Sequence, residues 1–156
     1  MKGKDNVLKT LNALLADELT AINQYILHSE MCANWGYARL HEVIEKRAIE
    51  EMKHAEKLIA RILFLEGVPN VSQLNPIYIG STVAEMLEKD HTAEAEAIQA
   101  YNQALRLCVE EGDHGSRALL ESILGDEENH IDWLEAQLDQ IRQMGLENYL
   151  SQQLED

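Results

Sequence analysis

Apolar residues recur three and four positions apart through four long stretches of the chain, and no stretch shows the two-residue alternation of a strand. The first runs from about Asp5 to Asn34, with Leu8, Leu11, Leu15, Leu19, Ile22 and Ile26 on one side and Gly36 beyond its end. A second, from about Arg39 to Glu66, carries the seam Ile44, Ala48, Ala55, Leu58, Ile62 and Leu65, and Gly67 is expected to stop it. A third, about 83–111, follows Thr82 and Glu85, spaced as a capping box, and carries Val83, Leu87, Ile98, Leu105 and Cys108. A fourth, about 116–144, has Ser116 as its expected cap and Leu120, Ile123, Ile131, Leu134, Leu138 and Ile141 inward, ending at Gly145. Leu146, Tyr149, Leu150 and Leu154 predict a short fifth helix at about 147–153.

Both prolines, Pro69 and Pro76, fall in the stretch 67–82, which reads as extended. At roughly 3.3 Å per residue its 16 residues span about 50 Å, whereas 28 helical residues at about 1.5 Å each span about 42 Å. The link can therefore run the full length of the second helix and start the third parallel to it. The expected architecture is one all-α domain over residues 1–156, a four-helix bundle with one long crossover and a pseudo-two-fold axis between two hairpins.

Composition narrows the partners. Thirteen basic against 28 acidic residues give a formal charge of −15, which argues against nucleic acid and anionic membranes, since both need clustered Lys and Arg. Two cysteines, Cys32 and Cys108, with no CxxC, build neither a disulfide framework nor a zinc–thiolate site. The opening MKGKDNVLKT lacks an apolar signal-peptide core and no apolar run approaches about 18 residues, so a soluble, cytoplasmic protein is expected.

Within the apolar seams stand charged residues that do not belong there. Glu18 is followed 33 residues on by Glu51 and three further by His54; Glu94, Glu127 and His130 repeat the spacing with an offset of 76. A carboxylate in a core is unfavourable unless paired or bound to metal, and Glu with His at i+3 puts both on one helix face. Four carboxylates and two imidazoles in two-fold array are what helical bundles use to hold two iron or manganese ions. Glu88/His91 and Glu111/His114 also read ExxH, but Ala55 and Tyr78 stand 33 residues before them, so both lack the third ligand. Tyr25 and Tyr101 share the 76-residue offset, seven residues after Glu18 and Glu94, and read as core aromatics or as phenols orienting a ligand carboxylate. Cys32 and Cys108 share it too and are expected at opposite ends of the bundle. Met52 points off the interior, on a flank with Ala48, Ile49 and Ile59 that suits a subunit contact, and by its spacing alone is a packing residue.

The stretches DELTAINQYILH (17–28), EMKHA (51–55), RILFLEGVPN (61–70), DEENHIDWLE (126–135) and MGLENYL (144–150) resemble bacterioferritin over nearly the whole chain. The resemblance implies a ferritin-like bundle whose Glu18, Glu51, His54, Glu94, Glu127 and His130 form an intrasubunit ferroxidase centre for two iron ions, with Glu51 and Glu127 bridging. It implies oxidation of Fe(II) by dioxygen or hydrogen peroxide. It further implies b-type haem held by Met52 from two subunits, and a 24-subunit homo-oligomeric shell storing ferric mineral, with the tail helix lining four-fold pores. Co-assembly with a paralogous subunit and a ferredoxin-type reductant are also within the family's range. Many bacterioferritins read YHESIDEMKH where this chain has Lys46, Arg47 and Glu50, which puts an accessory inner-wall iron site in doubt. The rival reading is a di-iron or di-manganese peroxidase or catalase without mineral storage. Rubrerythrin would need a four-cysteine site the chain lacks, and a metal-free helical interaction module would bind no metal.

Overall fold

The computed structural model describes residues 1–155, which form five helices: α1 (Asp5–Asn34), α2 (Ala38–Phe64), α3 (Val83–Glu110), α4 (His114–Met144) and α5 (Leu146–Ser151). No strand occurs among the described residues. α1 pairs with α2 and α3 with α4, each through a turn of three residues; α1 against α3 and α2 against α4 join the two hairpins.

The crossover between Phe64 and Val83 climbs alongside α1, held by a polar ladder. Asn12 accepts from Asn70 N (2.8 Å) and donates to Val68 O (3.2 Å); Thr20 accepts from Asn75 N (2.9 Å), and Gln24 from Tyr78 N (3.3 Å). At the top, Gly80 N–H donates to His28 Nε2 (3.0 Å). Its proton is therefore on Nδ1, which donates to Asp90 of α3 (2.9 Å), a buried carboxylate that Gln24 also serves (2.8 Å). These polar residues of α1 recur at intervals of about one or two turns. An extended chain with no sheet partner thus finds acceptors and donors for its backbone.

Three helix ends share one device. The N–H groups of Tyr37, Gly67 and Asp113 reach back five residues to the carbonyls of Cys32, Ile62 and Cys108 (2.9, 2.9 and 2.8 Å). The residue before each is left-handed: Gly36 (φ 83°), Glu66 (φ 62°) and Gly112 (φ 70°). Gly67, expected as the stop of α2, is not the left-handed residue. It is the point where a Cβ would come within 2.5 Å of Leu8 Cδ2, so its smallness serves the approach of α1. α4 opens two residues before the expected Ser116, because Asp113 is the cap. Asp113 accepts from Ser116 N (2.9 Å) and Oγ (2.7 Å), and Arg61 of α2 binds both residues. The Thr82 cap of α3 is present, but Glu85 reaches back to Ser81 rather than to Thr82. α2 has no side-chain cap; the C-terminal segment covers its first turn, with Ala38 N and Arg39 N donating to Leu154 O (3.3 Å) and Gln153 O (3.1 Å).

The interior is two apolar clusters. One contains Val7, Leu11, Leu15, Leu58, Ile62 and Leu120; the other contains Tyr25, Leu40, Ile44, Leu87, Leu134 and Tyr149. Cys108 lies in the first and Cys32 in the second, both as free, buried thiols. Ile26, placed on the α1 seam from the sequence, is 49% exposed; the inward positions of that turn are Tyr25, His28 and Ser29, which follow the phase of Leu11, Leu15 and Glu18.

Candidate metal centre

Between the two apolar clusters lies one polar layer. Glu18, Glu51, His54, Glu94, Glu127 and His130 are each at most 3% exposed, and they come from four different helices. All six residues singled out from the sequence meet there. They fall into two groups whose ligand atoms lie within 4.8 Å of one another: Glu18, Glu51, His54, Glu127, and Glu51, Glu94, Glu127, His130. Glu51 and Glu127 belong to both, the position a bridging carboxylate requires, while Glu18 with His54 and Glu94 with His130 sit at either end.

The inward atoms are unsatisfied. His54 Nδ1 stands 3.1 Å from Glu127, 3.4 Å from Glu51 and 3.7 Å from Glu18; His130 Nδ1 stands 3.1 Å from Glu51 and 3.6 Å from Glu94. None of these approaches has hydrogen-bond geometry. Glu18 Oε2, Glu51 Oε1, His54 Nδ1, Glu94 Oε2, Glu127 Oε1 and His130 Nδ1 are buried without a partner. Buried polar atoms are rarely left so, and six converging on one space is the donor set of a hard or borderline cation pair.

The outward atoms of Glu18, His54, Glu94 and His130 are engaged, each by the opposite half of the chain. Tyr101 Oη of α3 donates to Glu18 of α1 (2.6 Å), and Tyr25 Oη of α1 donates to Glu94 of α3. Asp126 of α4 meets His54 Nε2 of α2 (2.8 Å), and Glu50 of α2 meets His130 Nε2 of α4 (2.5 Å). Both tyrosines are buried, so they fill core volume and bind a carboxylate of the layer at once. Sequence reasoning missed Asp126 as a site residue and saw in Glu50 only a departure. The signal was present, since 126 − 50 is again 76 and each carboxylate directly precedes a glutamate shared by both groups.

Electrostatically the layer is strained when no cation is bound. Burial, with Glu18, Glu127 and Glu94 nearby, pushes Glu51 well above the usual carboxylate range. Burial and Glu94 do the same to Glu127 against the pull of His54. Glu94 is lowered, because the close approach of Glu127 and His130 and the hydrogen bond from Tyr25 outweigh its burial. Burial opposes charge on His54, but Glu127, Glu18 and Asp126 overcome it and raise it to about 10.

Two clefts reach the layer. One of about 440 Å³, between α1, α3 and the crossover, includes Asp17, Glu18, Glu94, Glu96 and Lys89; the other, of about 370 Å³ between α2 and α4, includes Arg47, Glu50, Lys53, His54 and Asp126. The rival dyads lie elsewhere: His91 pairs with exposed Glu135 (2.9 Å), and Glu111 ends α3. Met52 is 44% exposed beside equally exposed Ile49, whereas Ala48 turns into the core and Ile59 packs against it, leaving a narrower apolar flank than the sequence suggested. Arg47 lies over the Trp133 ring at 5.6 Å.

The sequence profile of the ferritin-like domain matches residues 8–144. A bacterial ferritin of Synechocystis is 47% identical, with 99% of each chain covered. A bacterioferritin of Brucella melitensis is 45% identical over 96% of this chain and 92% of its own, and one of Mycolicibacterium paratuberculosis 44% over 97% and 96%.

Proposed function

This chain belongs to the bacterioferritin family, and from that premise we propose that it oxidises Fe(II) to Fe(III) at the buried centre and stores the ferric product. The observation that carries the assignment to these residues is the set of six partnerless, inward-facing atoms on Glu18, Glu51, His54, Glu94, Glu127 and His130. Fe(II) is the substrate. Glu18 with His54 and Glu94 with His130 each bind one ion terminally, and Glu51 and Glu127 hold the two together. Each Fe(II) gives up one electron; two electrons and two protons take dioxygen to hydrogen peroxide, or peroxide to water. The protein contributes proximity of two one-electron donors in fixed geometry. Its tyrosines hold the terminal carboxylates, and the apolar layers above and below exclude water. The 440 Å³ cleft, with Asp17 and Glu96 along it, is the inlet.

The storage shell is a 24-subunit assembly of this chain, its contacts drawing on exposed apolar residues such as Phe64, Val71, Leu74 and Tyr78. A paralogous subunit and a ferredoxin-type reductant are further partners within this reading. Met52 fits a haem iron: its thioether is a soft ligand on an exposed, partly apolar face, and one such face per subunit suits a group shared across a two-fold axis. Haem bound there would supply a one-electron redox group.

Glu127→Ala removes a bridge. It is expected to abolish the rapid phase of iron oxidation in stopped-flow while size-exclusion chromatography shows the same assembly; an unchanged rapid phase refutes the assignment. Met52→Leu should remove the absorption spectrum of bis-methionine haem. Iron in the natively purified protein, and not manganese, separates this reading from that of a dimanganese catalase.

A further inference from the structure

We propose that Glu50 and Asp126 are reciprocal positioning residues of the centre, each fixing the tautomer and ring orientation of the histidine on the opposite hairpin, and that Glu50 serves in this way rather than as an iron ligand of its own. The inference rests on the metal-centre reading above.

A carboxylate only accepts hydrogen bonds. Asp126 at 2.8 Å and Glu50 at 2.5 Å from the Nε2 atoms therefore require a proton on Nε2 of both His54 and His130. In the neutral ring the lone pair then sits on Nδ1, the atom that faces Glu51, Glu127 and the terminal carboxylates in both cases. The other tautomer would aim an N–H at the metal position. Partners of this kind orient a ligand imidazole and raise its basicity. The pair spans the bundle: Asp126 of α4 serves α2, and Glu50 of α2 serves α4, so neither hairpin can present its histidine correctly without the other.

The surroundings of Glu50 do not favour a third metal ion. Among the described residues neither Glu50 nor Asp126 joins a cluster of three potential ligands. The α2/α4 cleft that both line carries three cations, Arg47, Lys53 and Lys57, against these two carboxylates. With one oxygen of Glu50 already on His130, a divalent cation entering there would meet net positive charge.

Anaerobic cobalt(II) titration of the intact, metal-free assembly tests this, read by the visible absorption of bound cobalt and by binding stoichiometry. The wild type is expected to take up about two ions per subunit. Asp126→Ala should weaken the Glu18/His54 position about 10- to 100-fold and shift its absorption bands, leaving the Glu94/His130 position unchanged. Glu50→Ala should do the converse. Glu50→Asp and Asp126→Glu should recover part of the affinity, a rescue that a merely structural role would not produce. Circular dichroism and size-exclusion chromatography should show the same fold and assembly throughout. Should Glu50→Ala lose one ion per subunit while both remaining positions keep their affinity and spectrum, Glu50 is a ligand and the inference falls. Unchanged affinities in both alanine variants overturn it equally. A wild type that binds no cobalt overturns the metal centre itself, and that result is distinct from either.

Discussion

Loading the centre should expel protons, and its electrostatics say which groups give them up. With no metal bound, burial and the neighbouring carboxylates push Glu51 and Glu127 well above the usual carboxylate range, while His54, raised to about 10, is cationic at pH 7. Glu94, lowered, is already ionised. Metal ligands must be deprotonated, so filling both positions strips at least the His54 proton, about one per subunit, and the upward shifts of Glu51 and Glu127 can only add to it. Each linked proton makes the apparent affinity rise about tenfold, or ~1.4 kcal/mol, per pH unit. The assay is anaerobic calorimetric titration of metal-free protein with cobalt(II) in buffers of different ionisation enthalpy; the slope of observed heat against that enthalpy counts protons. A release below about one proton per subunit would refute a cationic His54 amid the carboxylates of the empty layer.

The same groups set the pH dependence of the metal-free protein. A raised folded-state value contributes stability below the unfolded value and loses it as pH rises, so His54, shifted from 6.5 to about 10, makes the melting temperature fall across that interval. Glu51 and Glu127 act in the same direction, and bound metal should flatten the curve; a melting temperature that rises from pH 6.5 to about 10 contradicts this. Gly80→Ala places a Cβ 2.3 Å from Met86 N, a backbone atom that cannot swing aside, and should cost about 1–3 kcal/mol or more in thermal or denaturant unfolding. Gly125→Ala, with open space around it in the middle of α4, should be neutral or stabilising by up to about 1 kcal/mol. Deleting 152–156 removes the carbonyls that cap α2. Hydrogen exchange should accelerate at Ala38 and Arg39, by about a factor of five to ten for ~1 kcal/mol per lost bond, and unaltered exchange would show that the cap contributes nothing.

What the sequence disclosed is what repeats. Helical periodicity located the helices, and the 76-residue offset picked out six candidate ligands that four helices bring to one layer. Local chemistry was legible only where one residue decides it. The cap of α4 was misplaced because Asp113 and Ser116 are both good caps, and Arg61, remote in sequence, binds both. Gly67 looked like the residue that ends α2, yet the left-handed position falls on Glu66 and the glycine answers to Leu8 of another helix. The partners of the histidines were hidden for a related reason. Asp126 and Glu50 look like two more charges on helices rich in them until the hairpins face each other. Contacts across the bundle have no sequence neighbour to announce them.

The crossover has a consequence for how the centre is kept in register. Asn12, Thr20, Gln24 and His28 grip it at successive heights on α1, and it delivers α3 at the last of them. It is in effect a ruler. The axial height of Glu94 relative to Glu18 is measured out by the number of residues between these grips and locked where Asp90 of α3 meets Gln24 and His28. One residue more or fewer in 68–80 would slide one hairpin past the other by about 3.3 Å if the slack were taken up along the axis. Each hairpin would keep its own fold, and the two halves of the metal centre would no longer meet.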